Sequence, residues 1–311
     1  MYKFLRRLLV FILLTCSAIF TLIYLTDSIT KKYASFKIDK NVKYIVVGHS
    51  HPECAFNDSL IANFKNLGNS GESYFYTYFK LKQLIKQNSN IETVFIEFTN
   101  NQIDKSMNEW VWDNKYLSYR FPLYSPYMNC MDKYTIMKNN FSGFQNAMSL
   151  SLKNKIGRLF SNDFNFSNEI GGYLYLERDK TDSLIQNMPI DSVKNNSVTD
   201  ISETNLQYLS KIVELCKENK KKIILIRSPQ HKMYKGYHNE TIYKSILNSR
   251  FSNVEYLDFS KFPLLNSEFG DLEHLNHKGA TRFSIWFNQL LKNGILVKSE
   301  KQKFIDHEMS K

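Results

Sequence analysis

The sequence holds four cysteines in 311 residues, none of them in a CxxC pair. Cys54, Cys130 and Cys216 lie far apart and are odd in number, which argues against a disulfide framework or a zinc site and leaves room for one bridge at most. No internal repeat or low-complexity block is present. No nucleic-acid motif or basic helix accompanies the excess of 41 Lys+Arg over 30 Asp+Glu. The +11 charge is carried by scattered lysines, so it reads as solvated surface favouring anionic polymers, not nucleic acid. No small-residue Ala-x-Ala site follows the apolar N-terminus, which argues against a cleaved signal peptide.

What is there begins with that N-terminus. Lys3, Arg6 and Arg7 precede an apolar run from Leu8 to Leu25, interrupted by Thr15, Ser17 and Thr21. Its length suffices to cross a bilayer. Leu13-Leu-Thr-Cys16 has the outline of a bacterial lipobox, but threonine before the cysteine is atypical and the apolar run continues past it. Residues 1–27 are therefore expected to be an uncleaved signal anchor, followed by a polar, lysine-rich stalk over 28–41. Lys3, Arg6 and Arg7 favour a cytoplasmic N-terminus and an extracytoplasmic remainder, a bias that Lys31 and Lys32 on the other flank weaken.

Beyond the stalk, strand and helix signals alternate. Tyr44–Val47 is a β-branched and aromatic run that predicts a buried strand. A short helix is expected over 59–66, with a strand end feeding the tight turn Gly68-Asn-Ser-Gly71 after it. Tyr74 to Gln87 has a broad apolar helical face, and Asn90 to Phe98 is a second strong strand signal. The rhythm breaks from about 103 to 199, a stretch crowded with aromatics, where Pro122 and Pro126 argue against a continuous helix. It is expected to be an insertion forming a cap or substrate-binding subdomain. The rhythm resumes with a helix over Asn205–Asn219, a strand at Ile223–Ile226, a helix at Ile242–Ser249, a strand at Val254–Leu257 and a closing helix from about Ala280 to Lys292. Residues 298–311 form a charged tail expected to fray. This pattern predicts an α/β domain over 42–297 built on a parallel sheet.

In such sheets ligands bind at the C-terminal strand edge, and the polar residues gather there. Ser50 follows the first strand, Gly68–Gly71 the second, and Asn100–Asn101 the third. Asp271 and His274 are three apart near the C-terminus, a spacing that sets a carboxylate against an imidazole Nδ1 while Nε2 points elsewhere. A serine needs such a base to act as a nucleophile. Backbone N–H groups at glycine turns and an asparagine amide can supply donors for a developing oxyanion.

Val47-Gly-His-Ser50, Asn66-Leu-Gly-Asn-Ser-Gly-Glu-Ser73, Phe98-Thr-Asn-Asn-Gln102 and Asp271-Leu-Glu-His274 together resemble, in order, the four blocks of the SGNH (GDSL-type) hydrolase superfamily. The resemblance spans about Tyr44 to Trp286. It implies a flavodoxin-like three-layer α/β fold and a triad of Ser50, His274 and Asp271. It also implies an oxyanion site made by the Ser50 N–H, Gly71 and Asn101. The chain departs from the pattern at His49, where aspartate is usual, and at Thr99-Asn100, which replace glycines and leave Asn100 as an alternative oxyanion donor. The anchor and the Asp-x-x-His-Leu-Asn-x-x-Gly-Ala pattern are similar to membrane-tethered envelope proteins, including sugar O-acetylation proteins and accessory proteins of D-alanine transfer to teichoic acids. By that resemblance the substrate is an acyl or acetyl ester on an envelope polysaccharide. A multi-spanning membrane acyltransferase is the implied partner, and no cofactor is implied. Esterase and acyltransferase outcomes both remain open, as do a non-catalytic scaffold and a lipase-like enzyme on phospholipid. His49, Arg227 and His231 are candidate substrate contacts. Glu72 and Asn276 can either touch substrate or cap helices. No third ligand at a defined spacing accompanies His49, His51, His274 and His277, so no metal is expected.

Overall fold

Five short runs, most of them apolar on both faces, lie side by side: β1 (Tyr44–Val47), β2 (Phe64–Asn66), β3 (Thr93–Glu97), β4 (Lys222–Arg227) and β5 (Glu255–Asp258). In the computed structural model, which describes residues 1–188 and 200–310, they form a parallel sheet ordered β2-β1-β3-β4-β5. The register sets Val46 beside Phe95 and Phe95 beside Ile224, while Ile226 pairs with Leu257. All of these belong to one buried cluster with Phe283 and Phe287 of the helix His277–Lys292. Truncating either phenylalanine to alanine removes on the order of 3–5 kcal/mol of stability. The alternate residues Ile45, Val47, Val94, Ile96 and Leu225 are equally buried, as strands covered by helices on both faces require. β1 has β2 on one side and β3 on the other, so the chain changes direction across the sheet at β1. Such a switch point opens a crevice at the C-terminal strand ends.

The boundaries expected from sequence hold for the strand Tyr44–Val47 and the helix Tyr74–Gln87, and the other elements differ by a few residues. Three local differences have physical causes. Residues 59–66 are not a helix: Asp58–Leu60 is a single 3-10 turn, and Asn63 at φ +57° turns the chain into β2. Pro122 lies inside the helix Asn114–Tyr124. It falls in the last turn, where the missing N–H removes a bond at a helix that ends two residues later, and Pro126 then sits in the 3-10 turn Ser125–Tyr127. The tail does not fray. Lys301–Met309 is helical, Ile305 is fully buried, and the Gln302 amide accepts from Asp258 N–H (2.8 Å) and donates to Asp258 C=O (3.0 Å) at the end of β5.

The chain divides into two compact units. One comprises Met1–Phe36 with Trp112–Phe166. Its helix Tyr2–Tyr33 is long and apolar enough to cross a membrane, about 48 Å at the usual rise. That helix continues through residues 28–33 of the expected stalk, and Asp27 near its end pairs with Lys155 and, at 3.6 Å, with Lys133. The other unit comprises Lys37–Val111 and the chain from Ser167 onward, and it contains the sheet. Residues 103–111 and 167–188 of the expected insertion belong to this sheet-bearing unit. Residues 189–199 of that expected insertion lie outside the described residues.

Candidate active site

The site grows from the end of β1. Gly48 has φ +148°, and a Cβ there would sit 2.5 Å from the Glu97 Cβ on β3, so only glycine lets the two strand ends approach this closely. His49 then caps the helix Ser50–Ala55, its Nδ1 accepting from the His51 N–H at 3.4 Å. Ser50, the first residue of that helix, is left partly exposed. Its Oγ lies 2.7 Å from His274 Nε2. His274 Nδ1 lies 2.9 and 3.1 Å from the two oxygens of Asp271. The loop holding the pair is closed by Asp271 itself, whose Oδ1 accepts from the backbone N–H groups of Glu273 and His274, both at 2.8 Å. Nδ1 donates to the carboxylate, so the lone pair of a neutral His274 is on Nε2, facing the serine hydroxyl.

Burial works against ionisation of Asp271. The hydrogen bond from His274, its charge, the Glu273 N–H and the Arg178 guanidinium nevertheless hold the carboxyl well below the usual range. Arg178 pairs with Asp271 Oδ2 and was not singled out from the sequence. It lies in an irregular strap that is pinned across the site: Leu174 N–H donates to Glu53 C=O, Lys180 N–H to Gly270 C=O, and His277 N–H to Leu176 C=O. A lone arginine in an aperiodic stretch carries no local signal of this role.

The proposed oxyanion donors sit on three adjacent strand ends. Gly71 has φ +71°, and its turn is tied to the serine helix. Asn69 N–H donates to Gly48 C=O (2.9 Å), Ser70 N–H donates to Glu53 Oε2 (2.9 Å), and the Ser70 hydroxyl shares that oxygen. The Ser50 N–H, the Gly71 N–H and the Asn101 Nδ2 donate to no group among the described residues. The alternative donor, Asn100, is excluded. It is fully buried, its Nδ2 donates to Asn239 Oδ1 (3.0 Å) and Glu240 Oε2 (2.8 Å), and its Oδ1 accepts from Arg227 (3.0 Å).

The candidate substrate contacts fare differently. His49 is wholly buried, with both ring nitrogens engaged, and burial first and the neighbouring histidines second push its pKa well below the ordinary value. It meets no substrate. Arg227 directs its guanidinium to Asp258, Glu240 and Asn100, which engages all five of its N–H groups and leaves none for a ligand. His231 is nearly buried. Its Nε2 pairs with Asn266 Oδ1 (3.1 Å), its Nδ1 accepts from Met233 N–H (3.2 Å), and its backbone N–H supports Leu272 of the triad loop (3.2 Å). It lines a cavity of about 550 Å³ with Lys232, Lys261, Phe262 and Leu264, to which no triad residue contributes. Glu72 is buried against Lys80 at 2.6 Å and Asn276 caps the helix His277–Lys292, so both are structural.

His51 follows the serine, buried, its ring 5.4 Å from that of His274, with Nδ1 3.0 Å from Gln230 Nε2 and 3.8 Å from Glu97 Oε1. Its Nε2 is 3.8 Å from Glu273 Oε2. Burial alone would lower its pKa, but the carboxylates of Glu273 and Glu97 outweigh that and raise it. Among the described residues, His51, Glu273 and His274 bring ligand-type atoms within 4.8 Å of one another, with both ring nitrogens of His274 engaged by Asp271 and Ser50. His277 is not part of that group, and its ring stacks on Tyr175 at 4.7 Å.

One family model, that of an uncharacterised family, matches residues 157–296. The match is a little under half of the chain and includes β4, β5 and the Asp271–His274 loop but not Ser50. No curated protein matches the sequence.

Proposed function

We propose that this chain is a serine ester hydrolase or O-acyltransferase of the SGNH type. The observation that carries the reading is the continuous contact from Asp271 through His274 to Ser50 Oγ, with Nε2 and Oγ 2.7 Å apart. The strand order β2-β1-β3-β4-β5 is the flavodoxin-like order and supports the same reading.

In the reaction, His274 Nε2 takes the Ser50 proton as Oγ bonds to the ester carbonyl carbon. The carbonyl oxygen becomes an oxyanion, held by the N–H groups of Ser50 and Gly71 and by the Asn101 amide. Asp271 stabilises the imidazolium without taking its proton. Collapse breaks the ester C–O bond, and His274 returns the proton to the leaving alcohol. Water, or a sugar hydroxyl in a transferase, then gives its proton to His274 as its oxygen bonds to the acyl carbon, and His274 returns that proton to Ser50 Oγ as the acyl–serine bond breaks, restoring the free enzyme. The apolar N-terminal helix and its basic flank favour an anchored enzyme with its sheet-bearing domain outside the cytoplasm; its substrate, acyl or acetyl esters of an envelope polymer, and its partner, a membrane acyltransferase, are those the SGNH resemblance implies.

The test is p-nitrophenyl acetate turnover by the full-length chain in detergent, beside Ser50→Ala and His274→Ala. Full length is needed because residues 28–33 continue the N-terminal helix. Turnover is expected in the wild type and not in either variant. Equal turnover in Ser50→Ala would refute the mechanism. A folded wild type that neither turns over ester nor reacts with a fluorophosphonate would point to a non-catalytic scaffold.

A further inference from the structure

We infer that His49, through Thr99, sets the orientation of the Asn101 amide and so completes the oxyanion site, which makes His49 and Thr99 positioning residues. The inference rests on the esterase reading above and concerns the position where this chain departs from the aspartate usual before the serine.

The argument is one of hydrogen-bond direction. His49 Nδ1 accepts from the His51 backbone N–H, so that nitrogen holds a lone pair and the ring proton is on Nε2. Nε2 lies 3.1 Å from Thr99 Oγ1, and Nε2–H therefore donates to the threonine hydroxyl. Thr99 Oγ1 lies 2.7 Å from Asn101 Oδ1, and the hydroxyl hydrogen is directed there. A carbonyl oxygen accepts this hydrogen, whereas an amide NH₂ in its place could only donate to the second lone pair of the hydroxyl and would leave the buried hydroxyl hydrogen without an acceptor. The Asn101 side chain is thus held with Oδ1 toward Thr99, and Nδ2, which has no partner among the described residues, is left to donate elsewhere. His49 and Thr99 are both fully buried, while Asn101 is partly exposed, so the chain of bonds runs from the core to the accessible crevice. The neighbouring Asn100 marks the contrast, since Arg227, Glu240 and Asn239 hold its amide facing away. An aspartate at 49 would cap the helix equally well but would offer no donor to Thr99. Histidine caps with one nitrogen and donates with the other.

The experiment compares turnover of p-nitrophenyl acetate with turnover of its thiono analogue, in which C=S replaces C=O, by the full-length chain. Sulfur accepts hydrogen bonds poorly, so the oxo/thiono ratio of kcat/KM reads the oxyanion donors, while a general loss of structure lowers both rates together. Asn101→Ala is expected to collapse the ratio. Thr99→Val is expected to lower it by about tenfold, part of what losing an oxyanion donor outright costs, and Thr99→Ser, which keeps the hydroxyl, to restore it to within about twofold. His49→Asn keeps the helix cap, but its shorter amide does not extend to Thr99 as the imidazole Nε2 does, so it should match Thr99→Val. It serves as the second arm where Thr99→Val folds poorly. A wild-type ratio in both His49→Asn and Thr99→Val, with Asn101→Ala collapsed, overturns the inference. So does an active Asn101→Ala enzyme with an unchanged ratio. A wild type inactive toward both esters instead overturns the esterase reading on which the inference stands.

Discussion

Two polar clusters lie along the same C-terminal edge of the sheet and are built in opposite ways. At the ends of β4 and β5, Arg227 meets Asp258, Glu240 and Asn100, and each of its N–H groups has an acceptor. At the ends of β2, β1 and β3, donors are left over: the Ser50 N–H, the Gly71 N–H and the Asn101 amide. Charge alone would have nominated Arg227 as the ligand contact. Buried polar groups normally find partners inside the protein, so under the proposed function the unengaged donors, not the strongest charge, are the groups that would meet a substrate atom. The Arg227 cluster also does a job for the site, because it holds Asn100 away and leaves Asn101 as the amide that faces the crevice.

This contrast can be broken from either side. The largest effect is expected at the serine, where Ser50→Ala should lower ester turnover by about 10³-fold or more with an unchanged unfolding midpoint. Arg227→Met should do the reverse. It leaves Asp258 and Glu240 without their partner, and urea unfolding should record a loss of about 3–5 kcal/mol, with little change in kcat per folded molecule. A variant that stays stable but loses turnover would place Arg227 in the chemistry. Arg178→Ala should be milder, lowering kcat by several-fold through a looser Asp271. The arginine is 41% exposed, and solvent screens such a pair.

The smallest effect separates the two histidines beside the serine. His51 has a raised pKa, so its protonated form adds stability that is fully present below about pH 6.5 and is lost as pH rises through the folded value. His49 has a lowered pKa, so the unfolded chain binds its proton first and stability falls as pH drops below about 6.5. His51→Gln should remove the first trend and expose the second. Its unfolding free energy relative to wild type should be most reduced at acid pH, with the two converging in alkali. A constant difference across pH would show that folding leaves the His51 pKa unchanged.

Much of this arrangement was legible in the sequence. Tyr44–Val47 and Asn90–Phe98 announced strands through β-branched and aromatic residues, and Asp271 and His274 announced a paired carboxylate and imidazole by their spacing. Such signals are local. What was not legible depends on partners distant in the chain. Arg227 meets Asn100 across 127 positions and Arg178 meets Asp271 across 93, and no periodicity foretells either. Position along the strand favours Asn101, but sequence alone leaves Asn100 open for the same reason, since adjacent amides differ only in what surrounds them. The tail was misjudged because its charged residues outnumber the one isoleucine, Ile305, that anchors it.

The proposed triad also has an order of birth. Ser50 and His274 are separated by 224 positions, and β4 and β5, which carry the sheet toward the base, are made after more than two-thirds of the chain. A ribosome therefore releases the proposed nucleophile long before the imidazole that would activate it. Through most of synthesis the growing polypeptide holds a serine with no base, unable to acylate itself or attack esters within reach. Competence arrives only when the final forty residues close over the sheet.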